Sequence, residues 1–357
     1  MRTTVLHKSD GCEFVNDEQS SVIIDTVQDS RVLFFKNAPI LSGTMSVVGK
    51  KEFLGPLGEH FDSVKKDPKI GKKNFEAEEI DFLQSAIIGA IQKANLSLQE
   101  VDFLICGDLL NQLTTSNYVA RNLKIPYLGL YSACSTMTQA LGIGALLVDS
   151  GQCKNVVCGV SSHFATAERQ FRTPLEYGGQ KPPYSQWTVT GAGATVLSSS
   201  GQGIKLTAAL FGQVVDLGVT DIANMGAAMA PAFVHTLSQF LKHTNTIASN
   251  YDLIVSGDLG KLGSDIARTL CLERGILLGQ NYIDCGAIIY DNSQKTYQGG
   301  SGCGCSASVV NSFVLNRMKQ GMYSKVLYLA TGALMSPQSC FQGETIPCIS
   351  HAVLFEA

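Results

Sequence analysis

The sequence predicts an α/β protein built from two similar halves. Two observations carry this: short apolar runs that read as strands buried on both faces, and an internal repeat that sets them out twice in the same order. The runs are Val101-Asp-Phe-Leu-Ile-Cys-Gly-Asp108 and residues 155–162, 192–199, 251–258 and 325–331. Strands apolar on both faces and joined by helical stretches belong to sheets covered by helices on each side.

The repeat fixes the order of the elements. Val101–Asp108 matches Tyr251-Asp-Leu-Ile-Val-Ser-Gly-Asp258 at an offset of 150. Ser132-Ala-Cys-Ser-Thr-Met137 then faces Gly302-Cys-Gly-Cys-Ser-Ala307, and Gly151-Gln-Cys-Lys-Asn-Val-Val157 faces Gly321-Met-Tyr-Ser-Lys-Val-Leu327, both at an offset of 170. The extra 20 residues lie between 259 and 301, where 290–300 reads as a hairpin-like insertion. Gly193-Ala-Thr-Val-Leu197 and His351-Ala-Val-Leu-Phe355 complete the series. Matches kept in one order argue for duplication. The halves fall at 1–216 and 217–357, with 1–48 partly an extension outside the repeated pattern. Each half opens a buried helix with a turn of small residues, and a cleft between halves is where such folds bind ligands.

Composition agrees and narrows the function. The chain has 357 residues, 45% hydrophobic and 16% charged, enough for a substantial core and unlike a disordered, collagenous or coiled-coil chain. A net charge of −3 gives no basic field for nucleic acid. No apolar run approaches the roughly 18 residues that span a bilayer. The opening residues lack the apolar core of a secretory signal, so a peripheral or soluble protein with reduced thiols is expected. The eleven cysteines form no pair of C-x-x-C motifs, so no metal site is expected and most read as small buried hydrophobes.

Cys134 is the sharpest candidate for chemistry. It opens a helix running to Asp149 that is nearly all apolar or small. A thiol at a helix N-terminus is expected to have a lowered pKa, and the same end offers free backbone N–H groups to an anion, with Ser135 beside it. A thiolate nucleophile needs a histidine nearby. His163 follows the strand 155–162 at its C-terminal end, on the side of Cys134. At the equivalent strand end of the second half the ionisable group is Asp258. Cations cluster after His163: Arg169 and Arg172 at i, i+3, and Lys181 in a Gly/Pro loop. Such a cluster recognises carboxylates or pairs with Glu168 and Glu176. The glycine-dense run Gly299-Gly-Ser-Gly-Cys-Gly-Cys-Ser306 lets backbone approach a ligand closely at Gly302 and Cys303, yet has neither P-loop nor Rossmann spacing.

With these residues in view, the sequence resembles the thiolase superfamily: Cys134 falls where that superfamily carries its nucleophile, and 299–306 resembles the glycine-rich turn of its second half. The resemblance implies the thiolase-like fold, duplicated α/β halves in five layers, α-β-α-β-α. It is closest to a sporulation branch of that superfamily from spore-forming bacteria. It rests on Gly107-Asp-Leu-Leu-Asn-Gln112, Asn117-Tyr-Val-Ala-Arg121, Ala133-Cys-Ser-Thr136, Ala165–Arg172, Glu176-Tyr-Gly-Gly-Gln-Lys-Pro182, Gly299–Cys303 and Ile346-Pro-Cys-Ile349. It implies a homodimer that binds dipicolinic acid and its calcium chelate. Calcium would enter only as part of that chelate, and no other cofactor is implied. It further implies a role in dipicolinate uptake into the developing spore and release at germination. The implied partners are the stage V sporulation A membrane proteins, at the cytoplasmic face of the spore inner membrane or the boundary between forespore and mother cell. Catalytic relatives carry a histidine at the second-half strand end, where this chain has Asp258, and an asparagine in the following turn, where 299–302 has none. Of that set only Cys134 is kept, so binding without catalysis is the leading expectation. An acyltransferase of the ketoacyl-synthase type, with Cys134 and His163 as catalytic residues, is the alternative.

Overall fold

The computed structural model describes residues 31–65, 73–171 and 180–357. Its main sheet runs, strand by strand, through Tyr282–Asp284, Leu253–Ser256, Lys325–Ala333, Cys348–Glu356, Lys205–Phe211, Ile40–Gly49, Gly191–Ser198, Asn155–Ser162, Phe103–Gly107 and Tyr127–Gly129. The first five belong to the second half and the last five to the first half, and the two sets meet at the single pair Ile40 and Lys205. Each set has the same plan. Three parallel strands, one of them Asn155–Ser162 or Lys325–Ala333, are followed by two antiparallel ones.

The five strand runs read from the sequence are all present. Lys205–Phe211 pairs with Cys348–Glu356 and opens the second half, upstream of the boundary at 216/217. Its sequence matches nothing in the repeat, because its counterpart Ile40–Gly49 shares its place in the sheet and not its side-chain pattern. The 290–300 segment is not a hairpin. It holds a 3-10 turn at Asn292–Gln294, capped by the Asp291 carboxylate, and then Gly300–Ser301, which pairs in parallel with Trp187–Thr188 of the first half.

Three apolar cores separate the layers. One joins Phe75–Lys93 and Thr114–Leu123 to the outer face of the first-half sheet, and another joins Met225–Thr244 and Gly260–Glu273 to the outer face of the second. Between the sheets lie Thr136–Asp149 and the helical run 303–319. Two glycines let the first of these helices touch both sheets. A Cβ at Gly144 would lie 2.9 Å from Cys158 Sγ of the first half, and one at Gly142 would lie 2.9 Å from the Phe211 ring of the second. The turns that open the two central helices therefore face the interface between halves. Among the described residues no helix is long and apolar enough to cross a membrane.

Candidate ligand cleft at Cys134

Cys134 sits in a 3-10 turn, Ala133–Ser135, one turn ahead of the helix Thr136–Asp149. Ala133 has φ +46°, a left-handed conformation that costs an alanine about 1–2 kcal/mol. Short-range bonds hold it there. Ser135 Oγ donates to the Ser132 carbonyl at 2.7 Å, and Thr136 Oγ1 donates to the Ala133 carbonyl at 2.7 Å. His351, from the last strand, supports the turn from the other half. Its Nδ1 accepts the Gly212 N–H at 3.1 Å, which leaves the proton on Nε2 to be donated to Ser132 Oγ at 3.0 Å. Burial pulls His351 down to about 4, so it stays neutral.

The Cys134 thiol and the Asp258 carboxyl lie close enough for each to shift the other's titration. Asp258 Oδ2 also accepts the Gly302 N–H at 2.8 Å and Ser301 Oγ at 3.1 Å. Burial raises Asp258 to about 7, and Asp284 adds to the shift. Cys134 is pushed well above the ordinary thiol value, first by burial and then by Asp258. The expected lowering by the helix dipole is thus overturned: desolvation and a facing carboxyl outweigh it. The duplication is visible in the electrostatics. Asp108, the first-half mate of Asp258, accepts the Ser116 N–H at 2.7 Å, and burial first, then the charges of Glu79 and Asp108 across the interface, raise Cys303.

Above Cys134 opens a narrow cleft of about 60 Å³. Met225, Met229, Met335 and Phe171 form apolar walls. Tyr131, Thr188, Ser301 and Gly302 supply polar edges. Glu168 is the charged side chain of the lining among the described residues. Thioether walls adapt to a flat ligand better than branched side chains do.

The structure brings Cys134, Asp258 and Gly302 together. Ser135 knits the turn and does not line the cleft, and Cys303 is fully buried, its Sγ donating to the Ser161 carbonyl at 2.9 Å. His163 lies outside the lining: Nε2 meets Glu78 Oε1 at 3.1 Å and Nδ1 accepts the Ala165 N–H at 3.1 Å. It is not placed as a base for Cys134. Lys181 reaches the cleft wall through Glu168, at 2.7 Å. Arg169 pairs with Glu76 and borders a different surface depression. Arg172 lies outside the described residues. Sequence reasoning missed the three methionines, which look like any core apolar residue, and the supporting role of His351. It held a usable signal for Asp258, which occupies the same repeat position as Asp108. Among the described residues no group of three or more His, Cys, Asp or Glu side chains is arranged to hold a metal ion.

Two sheets around central helices, with a cysteine turn at their interface, define a thiolase-like protein. The chain resembles 3-oxoacyl-[acyl-carrier-protein] synthase III from Aquifex aeolicus, with a TM-score of 0.54 and 16% identity over 89% of this chain and 100% of that one. It also resembles cerulenin-bound OleA from Xanthomonas campestris, with a TM-score of 0.58 and 13% identity over 90% and 98%. The family model for stage V sporulation protein AD matches residues 29–356, and the Bacillus subtilis protein of that name is 45% identical over 322 residues, covering 90% of this chain and 95% of its own. The chain belongs to the stage V sporulation protein AD family.

Proposed function

We propose that the Cys134 cleft binds dipicolinic acid and its calcium chelate without chemical turnover, and that this binding serves dipicolinate uptake into the developing spore and its release at germination. The observation that carries the reading is the Cys134–Asp258 pair. A thiol raised first by burial and then by a neighbouring buried carboxyl stays protonated, and no histidine lines the cleft among the described residues to activate it. What remains is a slot with polar edges and adaptable apolar walls, suited to a planar aromatic diacid. Two bare carboxylates are costly in so apolar a lining. The calcium chelate, in which the metal offsets both charges, suits Glu168 at the wall better than the free dianion does.

The protein acts as a peripheral homodimer beside the stage V sporulation A membrane proteins at the spore inner membrane. Supporting the dimer, the edge strand Tyr127–Gly129 leaves Leu128 40% exposed at the margin of the sheet. The test is acyl-CoA turnover against dipicolinate binding on the purified chain. Saturable binding with no acyl transfer is expected. Acyl transfer that disappears in Cys134→Ala would replace this reading with the acyltransferase one.

A further inference from the structure

A second cleft, of about 380 Å³, shares no lining residue with the first. Phe75, Phe164 and Trp187 wall it, the last two stacked at 3.9 Å between ring centroids. Its floor is acidic and buried: Glu52 is 1% exposed, Glu78 3% and His163 5%. Glu52 accepts the Thr190 N–H at 3.0 Å and the Tyr290 hydroxyl. His163, its Nδ1 already accepting a backbone N–H, donates from Nε2 to one oxygen of Glu78. The other oxygen of Glu78 is buried with no hydrogen-bond partner among the described residues. Folded proteins rarely leave such an acceptor unsatisfied, and the Cys134 cleft makes no use of it. At the rim stand Lys50, exposed, and Lys51, which donates to the Gln294 carbonyl at 2.7 Å and lies 4.4 Å over the Trp187 ring.

An acceptor floor, a cationic rim and aromatic walls match a zwitterion with an apolar body. We propose that this cleft binds a free α-amino acid with an apolar side chain, its ammonium donating to Glu78 and its carboxylate meeting Lys50. The aromatic walls cover the side chain, and the Glu78 oxygen gains the donor it lacks. Charge-assisted hydrogen bonds at both ends set the preference over molecules that carry only one of the two groups.

The test titrates the full chain with three probes by ligand-observed NMR: L-phenylalanine, 3-phenylpropionate, which lacks the ammonium, and phenethylamine, which lacks the carboxylate. Phenylalanine is expected to bind at millimolar concentration or below, and 3-phenylpropionate at least about tenfold more weakly, with phenethylamine between them. Glu78→Gln should weaken phenylalanine about tenfold while dipicolinate binding at Cys134 is unchanged, which also shows that the variant is folded. Lys50→Glu, at an exposed position that leaves the fold intact, should weaken it about fivefold. No phenylalanine binding at about 10 mM, equal binding of 3-phenylpropionate, or parental affinity in Lys50→Glu would each overturn the proposal.

Discussion

Cys134 and Asp258 come from opposite halves of the chain and meet at the base of the cleft, where the buried carboxyl adds to the upward shift of the thiol. Burial, and then that carboxyl, hold the thiol protonated. Asp258→Asn removes that charge, so the thiol pKa should fall. A drop of one unit multiplies the thiolate fraction about tenfold below the pKa, and iodoacetamide alkylation of Cys134 at pH 8 should accelerate by that factor. An unchanged alkylation rate would show that the two groups do not act on each other.

The same carboxyl sets a pH dependence of stability. Asp258 rises from 3.8 to about 7 on folding. Between those values the folded chain holds a proton that the unfolded chain has lost, so stability is full below about pH 4 and declines as pH rises towards 7. Three units correspond to ~4 kcal/mol as an upper bound. Asp284, raised to about 6 by burial, shifts in the same direction. Urea denaturation at pH 5 and pH 8 should show the loss for the parent and a smaller one for Asp258→Asn. Equal slopes in the two proteins would remove Asp258 from this account.

Much of the fold was legible because buried strands and the small-residue turns repeat at fixed offsets, and a buried position tolerates few residue types. The opening strand of the second half escaped for the opposite reason. Lys205-Leu-Thr-Ala-Ala-Leu-Phe211 takes its place from pairing with Cys348–Glu356, which leaves no local mark. At the site, Cys134 and Gly302 stood out by their turn chemistry. His163 and Arg169 did not join them, because closeness along the chain does not fix direction. The helix Phe164–Phe171 turns Arg169 towards Glu76, while Glu78 claims the ring of His163.

Lys181 and Arg169 should behave differently. The Lys181–Glu168 pair is largely buried, and removing its cation leaves a buried carboxylate on the cleft wall. Lys181→Ala should cost about 3 kcal/mol in stability and weaken dipicolinate binding at least about thirtyfold. Arg169, 46% exposed in its side chain, should cost less than about 1 kcal/mol as Arg169→Ala, with dipicolinate affinity preserved. Calorimetric titration of both variants checks the contrast, and a larger affinity loss in Arg169→Ala would reverse the assignment.

Gly302 is required by geometry. Its φ is +97°, and a Cβ there would lie 2.7 Å from Ser162 Oγ. Gly302→Ala should therefore destabilise by about 2 kcal/mol or more and disturb the N–H that Asp258 accepts. Thermal melts measure the first effect. A melting temperature equal to that of the parent would mean that the turn has room the structure does not show.

The central claim, dipicolinate bound in the Cys134 cleft, is tested most directly by calorimetric titration of the parent, Cys134→Ala and Cys134→Trp with dipicolinate, with and without equimolar calcium. The account predicts saturable binding to the parent, tighter with calcium. It predicts affinity in Cys134→Ala within about threefold of the parent, and none in a folded Cys134→Trp, whose indole fills the slot. Parental affinity in Cys134→Trp, or no binding to the parent under either condition, would contradict it.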